Sequence, residues 1–318
     1  MNETTQKRQG NFLTRLVRKQ IFIPLAALLL LIVFNLIADP SFFAITLKEN
    51  SLGDLVLTGN LITILDNASE LVILAIGMTM IILLGDIDLS VGSVVGLVST
   101  GSAALMVHNG LGFVPTVLIC LGIGIVYGLF NGFVVTRMKI QAFVVTLASM
   151  NIARGLARLW SGGAGIPLTY GKGAGLAAPE FEVLCMRLGG VVPVPAIIFL
   201  VLLAFFWFIM SKTRFGRQIY ATGGNATAAH LSGIKVKNVK LIAFMLSGLL
   251  ASIAGMIHSA QISQGGPNEG MSYEMYAVAA VAIGGTSMAG GKGTMFGTLV
   301  GALIFGMLDN IMGLNGIN

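Results

Sequence analysis

The run Gly85-Asp86-Ile87-Asp88-Leu89-Ser90-Val91-Gly92-Ser93 sets two carboxylates two residues apart between apolar stretches at 71–84 and 94–107. Acids at the edge of a lipid-spanning segment are costly and are usually buried in protein or turned toward water. Gly85 and Gly92 permit backbone shapes that a continuous helix forbids. The stretch therefore reads as a break or tight turn between two membrane helices. Two roles fit its residues. Asp88 or Ser90 can cap the orphan amides of the helix that follows. Alternatively, Gly85, Asp86, Asp88, Ser90 and Gly92 form a hinge beside a polar translocation path, because irregular backbone at depth is tolerated mainly where protein or a cavity surrounds it. Glu274, in a short apolar segment at 272–283, is the other acid considered for such a path.

Catalytic chemistry is harder to find. His108, His230 and His258 stand far apart and form no metal-type spacing. The run Gly290-Gly291-Lys292-Gly293-Thr294 looks like part of a phosphate loop, but Gly293 follows the lysine where Ser or Thr is required, and Thr286 stands in place of the first glycine. No nucleophile–base constellation is visible, and no cofactor is expected in this chain. ATP and Mg, if transport uses them, belong to another subunit. Cys120 lies in an apolar run and Cys185 in a polar connection, which implies packing for the first and no disulfide framework.

The elements that must position these residues follow from composition. Of 318 residues, 55% are hydrophobic and 10% charged, with mean hydropathy +0.89; soluble domains carry about 25% charge. The chain reads as an all-α, polytopic transmembrane bundle forming a single domain over 1–318. Apolar segments are expected at 21–38, 70–84, 90–107, 113–135, 143–160, 191–210, 241–260, 272–283 and 294–312, about nine in all. Residues 61–65 are too short to span and are assigned to the interface. Gly122, Gly124, Gly128 and Gly132 mark a helix-packing face. Arg154 and Arg158 form an i, i+4 pair expected to snorkel to headgroups. Residues 161–190 read as a long surface loop. Two weakly related halves show as an echo between 84–92 and 283–291, with Gly85 aligned to Gly284; paired interruptions of this kind point to a transport path.

The net charge of +6 fits the positive-inside rule better than a nucleic-acid partner. With the N-terminus inside and strict alternation, the inside segments 1–20, 85–93, 137–139, 211–240 and the break near Lys292 hold 14 of the 19 lysines and arginines. Residues 211–240 are a polar island with six basic residues and no acid. Within it, Gly223-Gly224-Asn225 forms a turn with an N-cap, a short helix spans 226–231, and Gly233 stops it. This is either a solvated basic loop on anionic headgroups or a handle for a cytoplasmic partner.

Together, 85–93, 213–234 and 283–293 resemble the permease subunit of the bacterial ribose/xylose/arabinose/galactose family of ABC importers, and the resemblance covers nearly the whole chain. It implies a permease dimer, homo- or heterodimeric, in the bacterial inner membrane with cytoplasmic ATP-binding subunits and a periplasmic sugar-binding protein. It also implies a coupling helix, here assigned to Arg214, Gly216, Arg217, Gly223, Gly224, Asn225, Ala228, Ala229 and Gly233. The expected cargo is a pentose or hexose; a nucleoside or sugar-like signal is the alternative cargo, and an ion-coupled carrier using Asp86 and Asp88 the alternative mechanism. Three departures stand out: Asp86 replaces a glycine, Ala226-Thr227 replace a Pro-Glu pair, and the chain stops at Asn318 where the family pattern continues into another, tenth, helix.

Overall fold

In the computed structural model, residues 21–38, 40–49 and 55–314 are described. The basic segment 1–20, Asp39, Asp54 and the C-terminal position at Asn318 lie outside them.

The helices are α1 (Phe22–Ala38), α2 (Asn60–Leu83), α3 (Val91–Val107), α4 (Phe113–Arg137), α5 (Ala142–Ser161), α6 (Val194–Lys212), α7 (Arg214–Gly224), α8 (Ala226–Leu231), α9 (Val236–Gln261), α10 (Tyr273–Ile283) and α11 (Met295–Leu314). Among the described residues, α2, α4, α5, α6, α9 and α11 are long and apolar enough to cross a membrane, and α1, α3 and α10 are shorter apolar helices. Short antiparallel pairs join β1 (Thr46–Glu49) to β2 (Leu55–Thr58), β3 (Ile166–Pro167) to β6 (Gln264–Gly265), and β4 (Arg187–Leu188) to β5 (Val192–Pro193).

The centre is α2 and α9. From Val72 to Leu83 every residue of α2 is buried, whichever way it points, which is the pattern of a helix surrounded by others. Helix α9 packs on α4, α2 and α3. With lipid as apolar as leucine, close backbone approach must hold such a centre together. On α4, Gly124 faces the Gly248 carbonyl, Gly128 the Phe244 carbonyl and Gly132 the Leu241 Cα, each too near for a side chain to pass freely. Gly122 does not join this face and looks into open space; two residues from Gly124, it points about 200° round a 3.6-residue helix. Helix α6 is apolar all round and largely exposed, as a lipid-facing helix should be.

Three expectations change. Residues 61–65 are not a separate interfacial piece: helix α2 begins at Asn60 and runs unbroken through them, with Ile62 and Ile64 buried. Its polar first turns hid this start, because Asp66 and Glu70 lower the hydropathy although their partners lie in other elements. Helix α9 likewise begins at Val236, earlier than the apolar count gave. The 161–190 connection is more than surface loop: a 3-10 turn at Pro179–Leu184 buries Phe181 completely, against Phe113.

Candidate functional site: a glycine seam between two broken helices and the basic island

The two interruptions share one geometry. At the end of α2, the Gly85 N–H donates to Ile82 O (2.9 Å) and the Asp86 N–H to Ile81 O (3.2 Å), with Gly85 at φ 77. At the end of α10, the Gly285 N–H donates to Ala282 O (3.0 Å) and the Thr286 N–H to Val281 O (3.2 Å), with Gly285 at φ 86. Each is a helix stop using a left-handed glycine to satisfy the last carbonyls. The structural partner of Gly85 is thus Gly285, one residue beyond the alignment read from the sequence.

The breaks touch, and helix α7 seals them. The Gly291 N–H donates to Leu83 O at 2.9 Å. A side chain at Gly223 would overlap that same Leu83 oxygen, and Gly290 and Gly291 lie against Gly223, Gly224 and Gly85. The Tyr220 hydroxyl donates to Gly293 O at 2.9 Å; burial pushes its pKa up from the ordinary tyrosine value, so it stays a donor. Nearby, Lys240 Nζ lies 2.6 Å from Asp86 Oδ2, tying the first break to the start of α9. Five separate elements, the ends of α2, α7 and α10, the 284–294 break and α9, therefore meet at one end of the bundle.

The basic island is two helices rather than a loop. Thr213 caps α7, accepting from the Gly216 N–H at 3.4 Å. Asn225 Oδ1 accepts from the Ala228 N–H at 2.9 Å and caps α8, and Gly233 ends it at φ 84. Exposure sorts the residues assigned to docking. Arg214, Arg217, Gly224, Asn225, Ala228 and Gly233 are exposed, whereas Gly216 and Ala229 are buried and Gly223 is half-buried in the seam. Gly216 packs against the carbonyls of Ile209 and Met210. Gly216, Gly223 and Ala229 hold the module to the bundle and cannot face a partner. The residue that the sequence reading passed over is Leu231, 83% exposed on α8. A leucine bare to solvent beside the exposed Thr227, His230 and Ser232 is the signal that burial, not composition, reveals.

The path residues divide into three places. Asp86 pairs with Lys240. Asp88 is 2% exposed and accepts from the Ser90 N–H (2.9 Å) and the Ser90 hydroxyl (2.6 Å); Asn131 Nδ2 on α4 donates to that hydroxyl (2.9 Å). Asp88 therefore closes a tight turn on Ser90 just ahead of α3, and neither side chain caps an amide inside that helix. Glu274, buried at the start of α10, fits against Gly92 of α3, and Arg154 fits against Gly96 one turn on; a Cβ at either glycine would overlap the charged atom. Arg154 does not snorkel. Its Nη1 donates to Pro267 O and Glu269 O, both at 2.6 Å, because the glycine slot on α3 admits the side chain inward toward unpaired carbonyls. Among the described residues no group of acidic, histidine or cysteine side chains has the arrangement of a metal site.

At the opposite end of the bundle a second polar network closes the fold. His258 of α9 lies between Glu70 of α2 and Glu269 (2.8 and 3.0 Å). Gln261 Nε2 donates to Asp66 Oδ1 at 2.9 Å, and Arg187 of β4 lies 3.7 Å from the same carboxylate. The sequence held these as isolated polar residues; only the antiparallel packing of α2 on α9 makes them neighbours.

Residues 60–317 of the chain match the family described as the permease component of a branched-chain amino acid transport system. The ribose import permease protein of Haemophilus influenzae is 39% identical over 314 residues, covering 98% of this chain and 90% of that one. The ribose import permease protein of Escherichia coli K12 is 40% identical over 295 residues, 92% of this chain and 86% of that one. The autoinducer 2 import system permease protein of Yersinia pseudotuberculosis is 35% identical over 249 residues, 78% of this chain and 68% of that one. No solved structure matches the chain.

Proposed function

Because the chain belongs to this family of membrane-embedded permease components, we propose that it is the translocating subunit of an ATP-driven monosaccharide importer, with a pentose or hexose as cargo. The observation that carries the mechanism is the seam: the end of α7, which runs straight on into α8, packs backbone to backbone on the end of α2 and on the break that follows α10. A push on α8 passes through the backbone at Asn225 into α7 and from there to the end of α2 and the break after α10, with no flexible side chain in the seam itself. Packed backbones transmit displacement poorly as bending and well as a shift of whole elements.

In this reading α7 and α8 face the cytoplasm and dock on an ATP-binding subunit through Leu231, Ala228 and the exposed Arg214 and Arg217. The opposite end, with the 162–193 connection, faces a periplasmic sugar-binding protein. A second copy of the chain, or a related one, completes the path. The count of basic residues supports this orientation, and the ribose relatives support the cargo class. An ion-coupled carrier fits less well: of the two acids it would use, Asp86 already holds a lysine and Asp88 a serine. The deciding experiment is reconstitution in proteoliposomes with the partner ATPase and binding protein. Uptake of radiolabelled ribose should require ATP and the binding protein; uptake on a proton or sodium gradient alone overturns the proposal.

A further inference from the structure

We propose that His258, Glu70 and Glu269 form a proton-binding site that latches the 262–272 segment, and with it the 162–193 connection, over the end of the bundle opposite α7 and α8. Hydrogens are what the three groups lack. His258 Nδ1 lies 2.8 Å from Glu70 Oε2 and Nε2 lies 3.0 Å from Glu269 Oε2. A carboxylate only accepts, and a neutral imidazole carries a single N–H. Both contacts are hydrogen bonds only when the three groups hold one proton more than a neutral ring between two carboxylates, either on the ring or on a glutamate. Remove that proton and a nitrogen lone pair faces a carboxylate oxygen in a largely buried place.

The weaker arm is Glu269. It is the more exposed of the two acids, and it sits on an irregular segment, whereas Glu70 is locked in the middle of α2. The segment's β6 pairs with β3, and the Leu168 N–H donates to Ser263 O at 2.8 Å, so movement of 262–272 carries the 162–193 connection with it.

Other charged and titratable groups surround the site; on the 162–193 connection, the Tyr170 hydroxyl donates to Ala260 O at 3.4 Å and not to the triad. On α2, Asp66 is held by Gln261 and Arg187. On α5, Arg154 holds the backbone of Glu269 rather than its carboxylate. On α10, the Tyr273 hydroxyl is 3.4 Å from His258 Nδ1, its ring edge-on to the imidazole at 5.6 Å, and Glu274 faces α3. On α11, Asp309 is exposed. Helix α3 contributes only Ser102, paired with Ser259 at 3.1 Å. None of these donates a proton that replaces the missing one at low cost: Tyr273 meets the Glu70 side of the ring, and the Glu269 side has no other donor among the described groups.

The test reads opening directly. Cys120 and Cys185 are replaced by serine, Ile166→Cys reports the buried β3 seam, and Lys172→Cys reports an exposed position on the same connection. The ratio of their labelling rates by a maleimide, in the full chain in nanodiscs, cancels the intrinsic ionisation of the thiol. Between about pH 6 and about pH 9 this ratio should rise about tenfold, the scale expected when a charge-assisted hydrogen bond is lost. Glu269→Gln should make it flat and low, because an amide N–H supplies the missing donor to a neutral ring. His258→Gln should make it flat as well; if that variant does not fold, Glu269→Gln decides alone. A flat ratio in the parent, or an undiminished rise in Glu269→Gln, overturns the latch. That the latched end faces the periplasm rests on the importer reading. Labelling of Lys172→Cys with an impermeant reagent in sealed vesicles tests that side independently, so the two failures are distinguishable.

Discussion

Asp86 and Asp88 are two residues apart and do different work, because one lies at the edge of the seam and the other inside the bundle. Asp86 and Lys240 are partly exposed, so their pair is worth about 1 kcal/mol or less. Asp86→Asn should lower the apparent melting temperature of the purified chain only slightly, and Lys240→Met should add little on top of it in a double-mutant cycle. Asp88 satisfies a buried amide and hydroxyl, and leaving such groups unpaired costs about 1–3 kcal/mol. Asp88→Ala is therefore expected to reduce membrane abundance and uptake in parallel; uptake lost at full abundance would show a role in the path that this geometry does not give it.

At the scale of the element, adjacent glycines separate packing from freedom. Gly223 lies on the Leu83 carbonyl, whereas Gly224 has open space around the position of a Cβ and an ordinary φ. Gly224→Ala should leave uptake near the parent level. Gly223→Ala should force α7 off the two breaks and reduce binding-protein-stimulated ATP hydrolysis at least severalfold, measured in nanodiscs at matched abundance. Equal behaviour of the two variants would remove the seam from the mechanism. A similar contrast holds on α4, where Gly128 meets the Phe244 backbone and Gly122 meets nothing; Gly128→Leu is expected to lower abundance and Gly122→Leu to leave it intact.

For the whole molecule, the docking face should be apolar at its centre and basic at its rim, with Leu231 as the centre. Leu231→Asp should weaken co-purification of the ATP-binding subunit at least tenfold while leaving the chain inserted, since a side chain this exposed contributes little to folding. Interface energy concentrates in a few such anchors. Arg214→Ala and Arg217→Ala, on the rim, should act mildly and more strongly at low salt. Unchanged capture by Leu231→Asp would move the interface elsewhere.

The amino-acid order alone determined the class of the molecule, the positions of its apolar segments, the two glycine stops, the capped α8 and the resemblance to a permease. These depend on local chemistry: hydropathy, the left-handed freedom of glycine and the short reach of an Asn or Thr cap. It did not determine which polar residues pair. Whether Arg154 points to lipid or inward, whether Ala229 faces a partner or the bundle, and whether His258 is a lone imidazole or the middle of three charged groups all depend on which helix lies alongside. That choice is made by glycine crossings between segments up to about two hundred residues apart, as with Leu83 and Gly291. Only the tertiary structure decided it, because in a membrane the cost of an unpaired polar group is settled by its neighbours in space.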